Sequence, residues 1–489
     1  YTPVTRPVLV HENSPTDQTI VLKAESDQSR TIDYHSPDQV ADALANLSTQ
    51  FPDYARRSSI GKSALNSDIW MLQLGLSYDK ARILPGILFV GNMHGDEAVS
   101  REVLLKLAAH LCRQYKEDDY MRNVLNETHI YLIPSANPDG AKLSEPNCAT
   151  GKGHVNAAGV DLDGNFLSDY PKDQAVEQAE TKAIKKALKE TGAQVVVYVG
   201  SGDTVVSYIG PADKTLANAY INGRQGSSEL EKSCEDHQGK EYLSQIVGFS
   251  DFFDHSGAFL SYVHRELHRG SVLVNTGCCR YPSPDQLTQM WKWTRPSLMS
   301  LIREARKGLF GMVMDEGTNR PLAGAKIHVS PAGYSQVSDE NGLFAVYLPS
   351  GTFTFHTEAA GYKTKHQEVH VLVSTSAREL VIKMLPNTLL FGMSPMVSVI
   401  VIACVVMVIV LFVTGALCLR KSGRMPYDEM GFKQLTNDDS DSDDVDYELS
   451  DRKKFIKTQQ RTNGTKEYHD EVSTEDEDGE HSLFEKRLI

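Results

Sequence analysis

Gly91-Asn92-Met93-His94-Gly95-Asp96-Glu97 joins two runs of different periodicity. Before it, residues 87–91 form a short unbroken apolar stretch. After it, residues 97–115 place apolar side chains at helical spacing. The junction therefore reads as a strand running into a helix. His94 and Glu97, three residues apart at that junction, can place an imidazole nitrogen and a carboxylate on one metal ion. Such a pair alone is a weak signal, because most H-x-x-E pairs are surface residues. Its weight comes from what surrounds it.

On the N-terminal side, Ser36-Pro37 carries an N-cap serine and a proline at the first helical position. Val40, Leu44, Leu47 and Phe51 then mark one apolar face, which Pro52 ends. Residues 69–74 and 87–91 are β-rich. On the C-terminal side, a strand at 129–134 runs into the turn signal Ser135-Ala136-Asn137-Pro138-Asp139-Gly140. A helix at 176–191 precedes a strand at 194–199, and an amphipathic helix at 287–305 closes the region near residue 307. Strands alternating with helices predict an α/β fold with a largely parallel or mixed sheet. From 308 to 385 short strands alternate with turn signals such as Asn341-Gly342, Pro349-Ser350-Gly351 and Gly361. This predicts a small all-β sandwich of about 80 residues.

At 489 residues the chain exceeds what one core serves. It begins at Tyr1 without a signal peptide and reads as a fragment or processed chain whose upstream part is missing. The net charge is −14, and residues 420–489 hold 12 Lys/Arg against 19 Asp/Glu, half of the excess. That balance argues against nucleic acid and for an acidic, solvated tail. Residues 396–419 (MVSVIVIACVVMVIVLFVTGALCL) carry no charge over 24 positions, enough for a transmembrane helix, which needs about 20 apolar residues. Arg420, Lys421 and Arg424 follow at once, so the positive-inside bias places the C-terminus in the cytosol and the preceding domains in a lumen or outside. Sequons at Asn46 and Asn126 fall on the glycosylation-competent side, and the one at Asn463 does not. Cys112, Cys148, Cys234, Cys278 and Cys279 precede the span. Their odd number leaves at least one free or paired outside the chain, and spacing does not fix the connectivity.

The order GNMHGDE (91–97), REVLLKLAAHLC (101–112), SANPDG (135–140), VNAAGVDLDGNF (155–166) and CCRYP (278–282) resembles the zinc metallocarboxypeptidases of the regulatory, carboxypeptidase N/E branch over residues 32–306. The sandwich resembles the transthyretin-like domain that follows the catalytic domain in that branch. Residues 1–24 look like the end of a preceding transthyretin-like domain, and the chain looks like the last of several tandem repeats on one membrane anchor. The resemblance implies this division: 1–30, the end of a preceding domain and linker; 31–307, a carboxypeptidase-like mixed sheet with flanking helices; 308–386, the sandwich. A linker (387–395), the span (396–419) and a disordered cytosolic tail (420–489) follow.

The same resemblance assigns roles by position. A working site holds zinc with two histidines and a glutamate and keeps one position open for water. His94 and Glu97 match the first two ligands. The third would come from an NLHGG-like segment, which here reads Tyr198-Val199-Gly200-Ser201-Gly202, with Gly200 at the ligand position. The family pattern DLNRNF, whose asparagine and arginine hold the substrate carboxylate, has become Asp161-Leu162-Asp163-Gly164-Asn165-Phe166. Gly164 removes the bidentate clamp and Asp163 sets like charge against the substrate. His154 replaces the carbonyl-polarising arginine of the G-R-x-N-A pattern. Asn275 replaces the glutamate base of E-L-S-C-x-K-Y-P, and the run Asp251-Phe252-Phe253-Asp254 lacks the substrate-capping tyrosine. Each loss is worth roughly 10²–10⁴-fold, and groups acting as a unit do not add simply.

The expectation is a pseudo-peptidase with zinc absent or weakly bound, in which no residue is catalytic. His94, Glu97, His154, Asp161 and Asp163 should line one cleft, able to take a metal weakly or a cationic peptide end. The plainer reading of that cleft is an inherited, unused pocket, with Arg101 and Glu102 as structural helix residues. In the tail, Tyr427-Asp428-Glu429-Met430 fits a tyrosine-based sorting signal read by adaptors. Ser440 and Ser442 lie in an acidic run suited to an acidophilic kinase, whose phosphates add about −1.5 to −2 charge each. Together they imply cycling among the trans-Golgi network, endosomes and plasma membrane. The competing readings are a zinc carboxypeptidase active in this chain itself and a surface receptor domain for a peptide or protein ligand.

Overall fold

The structure is a computed structural model and describes residues 34–75, 84–167, 176–224, 234, 245–249, 257–372, 378–387, 393 and 395–422. Tyr427, Met430, Ser440, Ser442 and Asn463, the run 251–254 and residues 1–30 lie outside the described residues.

Helix α1 (Pro37–Gln50) opens on a capping box. The Ser36 hydroxyl accepts from the Gln39 amide, and the Gln39 side chain accepts from the Ser36 amide. Eight strands follow through the α/β region: β1 (Ala55–Lys62), β2 (Asp68–Leu74), β3 (Gly86–Gly91), β4 (His129–Ile133), β5 (Val195–Gly200), β6 (Val206–Tyr208), β7 (Ile246–Gly248) and β8 (Gly270–Asn275). They form one mixed sheet in the order β1-β2-β4-β3-β5-β8-β6-β7. Its centre, β4-β3-β5-β8, is parallel. Strands β3, β5 and β8 are buried along their whole length, which is why they read as continuous apolar runs rather than alternating ones.

The two-residue period of these strands builds two cores. Ile87, Phe89, Val195, Val197, Val199, Val272 and Val274 face α1, α2 (Ala98–Glu117), α3 (Asp119–Asn126), α6 (Asp213–Asn222) and α8 (Pro284–Ala305). Leu88, Val90, Val196, Tyr198 and Leu273 face α5 (Ala179–Thr191) and α7 (Phe259–Arg265). The result is a helix–sheet–helix sandwich, as the alternation of elements predicts.

Two local expectations shift. The segment read as a turn after β4 is the short helix α4 (Pro138–Leu143), because Asn137 acts as its N-cap and accepts from the Gly140 amide at 2.9 Å. Helix α5 starts at Ala179 rather than 176, since the Gln178 amide is taken by Asn165 Oδ1 at 2.7 Å.

Seven strands form the second region: β9 (Leu309–Asp315), β10 (Lys326–Ser330), β11 (Tyr334–Val337), β12 (Leu343–Val346), β13 (Gly351–Glu358), β14 (Lys365–Val371) and β15 (Arg378–Met384). They make a four-stranded sheet, β11-β10-β13-β14, and a three-stranded sheet, β12-β9-β15. Their core is continuous with that of the α/β region. Tyr334 of β11 reaches across and donates from its hydroxyl to the fully buried Asp213 carboxylate at the start of α6. Asp213 also accepts the amides of Gly210 (2.9 Å) and Ser271 (3.1 Å), and His264 Nδ1 lies 3.0 Å from its other oxygen.

Helix α9 (Pro395–Ser422) contains the one segment among the described residues long and apolar enough to cross a membrane, Met396–Lys421, with a mean hydropathy of 3.4. Its 26 residues span about 39 Å at 1.5 Å each, more than the roughly 30 Å hydrocarbon layer.

Removing the tyrosine hydroxyl from the Asp213 cluster withdraws one hydrogen bond to a buried charge, worth about 1.5–3 kcal/mol. Tyr334→Phe should therefore lower the thermal unfolding midpoint of both regions together, read by differential scanning calorimetry. A change confined to one of two transitions would mean the cluster does not couple them.

Candidate functional site

The carboxyl ends of β3, β5 and β8 lie side by side, the edge at which open α/β sheets build their sites. Register pairs Gly91 with Val199 and Gly200 with Asn275. The loop after β3 carries His94, Asp96 and Glu97 into α2. A Cβ on Gly200 would come within 2.8 Å of Asn275 Oδ1 and 3.8 Å of Glu97 Oε1. The positions matched to the third ligand, the base and the second ligand thus meet at one point. Asn275 Nδ2 donates to the Val205 carbonyl at 3.0 Å, so the amide is bound into the scaffold.

His94 and His154 stack with ring centroids 4.1 Å apart and planes 12° from parallel. His94 Nδ1 is 3.2 Å from Glu97 Oε1 and 3.2 Å from the Tyr198 hydroxyl, and its Nε2 is 3.0 Å from Asp161 Oδ1. His154 Nδ1 is 3.1 Å from Asp96 Oδ1, and its Nε2 is 3.8 Å from Asp161 Oδ2. Burial alone would push the His94 imidazole down, but the Glu97 charge and hydrogen bonds to Asp161 and Glu97 outweigh it and hold it at about 10. His154 is raised in the same way, with Asp161 and Asp96 overcoming burial. Burial would raise the Asp161 carboxyl, yet its bonds from His154 and His94 hold it well below the usual carboxylate range. The His94 ring is therefore cationic near neutral pH, and both rings are shared among carboxylates. Asp161, about half exposed, is the acceptor the cluster turns to solvent.

Asp163 and Gly164 sit on a one-turn 3₁₀ helix, Asp163–Asn165. Asp163 Oδ1 accepts the Phe259 amide at 3.1 Å and so tethers the start of α7. Among the sequence-derived candidates, His94, Glu97, His154 and Asp161 converge, with Gly200 and Asn275 beside them. Arg101 and Glu102 are buried in α2, where Arg101 holds Asn92 and Glu102 holds His35. Asn46 is exposed on α1, and Asn126 is half-buried at the end of α3 with Thr128 fully buried.

Sequence reasoning missed Arg280. Its Nη1 lies 2.9 Å from Glu97 Oε1 and 3.6 Å from Asp96 Oδ1. Gly202, at φ +90°, gives it room, since a Cβ there would stand 2.8 Å from Arg280 Nε. The Cys148–Cys279 disulfide and the Arg280 amide bond to the Cys148 carbonyl (3.3 Å) fix the loop that carries it. The second disulfide joins Cys234 to Cys278, and Cys112 is free and buried. The sequence signal for Arg280 is a basic residue directly after the vicinal cysteines, at the lysine position of the E-L-S-C-x-K-Y-P pattern.

The family's zinc can be tested against these side chains. Glu97 Oε2 is buried with no hydrogen-bond partner among the described residues, as a ligand oxygen would be. Gly200 offers no donor, however, and a guanidinium already neutralises the other Glu97 oxygen. The two-histidine, one-glutamate set does not fit. A different trio, His94, His154 and Asp161, brings three donor atoms within 4.8 Å of one another and could hold a metal ion. Its stacked rings direct their lone pairs in parallel rather than toward one point.

Residues 40–297, just over half of the chain, match the zinc carboxypeptidase family Peptidase_M14, and residues 309–391 match a CarboxypepD_reg-like domain. Carboxypeptidase D of Rattus norvegicus is 28% identical over 465 residues, covering 91% of this chain and 32% of the relative. Carboxypeptidase D of Homo sapiens is 27% identical over 482 residues, covering 94% and 33%. Carboxypeptidase M of Mus musculus is 25% identical over 333 residues, covering 64% and 75%. The chain spans about a third of the length of the carboxypeptidase D relatives. With the match over residues 40–297 spanning the strands that bring His94, Glu97, Gly200 and Asn275 together, the chain belongs to the zinc carboxypeptidase family.

Proposed function

We propose that this chain is the membrane-anchored C-terminal part of a carboxypeptidase-D-like protein, and that its carboxypeptidase-fold domain binds or spaces rather than cleaves. The observation that carries the reading is the Arg280–Glu97 contact at 2.9 Å, formed beside Gly200 and Asn275. A carboxylate in a ligand position has acquired an internal cation, the strand facing it offers no third donor, and the base position holds an amide. Peptide hydrolysis needs an activated water and a stabilised oxyanion, and none of these positions supplies them. Removal of C-terminal Lys and Arg from peptides would then belong to upstream repeats of the parent protein. Two disulfides before the span favour an oxidising lumen for this part, with Arg420 and Lys421 marking the cytosolic end. In that topology Tyr427, Met430, Ser440 and Ser442 face adaptors and an acidophilic kinase in the cytosol.

The trio His94, His154 and Asp161 favours a second reading, a metal-dependent peptidase with a displaced ligand set. Zinc content and release of C-terminal arginine from a short peptide, measured on the purified chain in detergent, separate the two. The first reading expects no release even with added zinc. Release that disappears with His154→Ala would establish the second.

The ion pair has its own signature. Arg280→Met should cost about 3 kcal/mol, the lower end for breaking a buried pair, because His94 also faces Glu97. Adding Glu97→Gln should recover most of the loss in urea unfolding, and additive costs instead would mean the two side chains do not act as a pair.

If the region before the span is lumenal, Asn46 should carry glycan at higher occupancy than Asn126, whose sequon threonine is buried. Site-resolved mass spectrometry after expression in a secretory host reads this directly, and unmodified asparagine at both sites would argue against the lumenal assignment.

A further inference from the structure

The outer face of the four-stranded sheet carries a row of histidines that the family site does not involve. Register sets His328 of β10 opposite His356 of β13, and His356 opposite His366 of β14. Alternation puts Phe353, Phe355 and Thr357 inward and Thr354, His356 and Glu358 outward. On β14, His366, Glu368 and His370 are exposed. Three imidazoles therefore stand in line across three adjacent strands on a solvent-facing surface.

The geometry of the central pair is specific. His356 Nδ1 and His366 Nδ1 are 3.3 Å apart. Their ring centroids are 4.4 Å apart and their planes meet at 80°. Two nitrogens bound to one tetrahedral zinc at about 2.0–2.1 Å each are separated by about 3.3–3.4 Å. The nearly perpendicular planes do not hold the two rings in parallel, unlike those of the stacked His94–His154 pair. The other nitrogen of His356, Nε2, lies 2.8 Å from Glu358 Oε1. That hydrogen bond holds the Glu358 carboxyl below its usual range. An ionised Glu358 accepts a proton-bearing Nε2, which leaves Nδ1 as the unprotonated nitrogen, 3.3 Å from His366 Nδ1. A carboxylate behind a ligand histidine is the usual device for fixing its tautomer and raising its basicity.

Neighbouring charges are mixed. Lys326 lies opposite Glu358 and Lys365 opposite Thr357, while Glu368 lies 3.5 Å from His370 Nε2. His328 Nδ1 is engaged with the Ser335 hydroxyl at 2.9 Å, so the row offers one chelating pair rather than three equivalent ligands.

We propose that His356 and His366 form an exposed transition-metal site on the β-sandwich, suited to Zn²⁺ or Cu²⁺, with Glu358 orienting His356 and water completing the coordination. Imidazole is a good ligand for both ions. The site is independent of whether the α/β region is catalytic.

The test is isothermal titration of zinc chloride into the untagged full chain in detergent, with four variants. His366→Ala and His356→Ala should each abolish one binding event, and Glu358→Gln should weaken it by about 10–100-fold, as loss of an orienting partner does. His154→Ala, in the α/β region, should leave that event unchanged. Near-ultraviolet circular dichroism confirms that the exposed-surface variants remain folded. Absence of zinc binding, or binding that only His154→Ala removes, overturns the proposal and would leave His356 and His366 as two rings sharing a hydrogen bond.

Discussion

Three parallel strands in fixed register are the constraint on which the site rests. Because β3, β5 and β8 are hydrogen-bonded neighbours running the same way, whatever follows each of them emerges at one edge. The residues at that edge are then brought together by backbone pairing, whatever their side chains are. This explains how the fold persists around Gly200 and Asn275. Gly200 contributes no side chain, and Asn275 is tied to the Val205 carbonyl, so the pairing of the strands does not depend on a ligand or a base at those positions.

What did have to change in concert is charge. Glu97 is almost fully buried at the start of α2, and a carboxylate in that setting requires a counter-charge or a proton. In a zinc site the metal supplies it. Here Arg280 on one side and His94 on the other take that place, and the space for the guanidinium comes from Gly202. Asp96, Asp161 and His154 extend the arrangement into a network in which each cation touches more than one carboxylate. Such a network is stable without an ion, and it gives an incoming ion less than a bare ligand set would, because Glu97 must first exchange one cation for another.

The legible part of this picture was local. His94 and Glu97 are three residues apart on a strand-to-helix junction, and residues 154, 163, 164, 200 and 275 stand inside recognisable patterns, so the departures from those patterns were legible in the sequence alone. The layered α/β region, the sandwich and the apolar helix followed from periodicity. What was hidden depends on pairs distant in the chain. Arg280 meets Glu97 across 183 positions, and its approach relies on a glycine and a disulfide elsewhere. His356 and His366 become neighbours only through antiparallel register, and on paper they are two polar residues in weakly alternating strands. Asp213 carries no signal in its own stretch of chain, since nothing local says that a tyrosine 121 positions later will reach it. The Asn-Pro-Asp-Gly segment was misread for a different reason: the same residues serve as a turn and as a helix cap with proline at the first position.

The Asp213 cluster bears on how such chains can be built and rebuilt. Its carboxylate binds a backbone amide of β8 at the centre of the sheet and a tyrosine of the sandwich at once, so one buried group is shared by the two regions. Two regions joined in this way cannot be shuffled separately without exposing a buried charge. The natural module for duplication is therefore the pair, cut out with both halves of the clasp, and a protein that grew by repeating itself would be expected to count in twos.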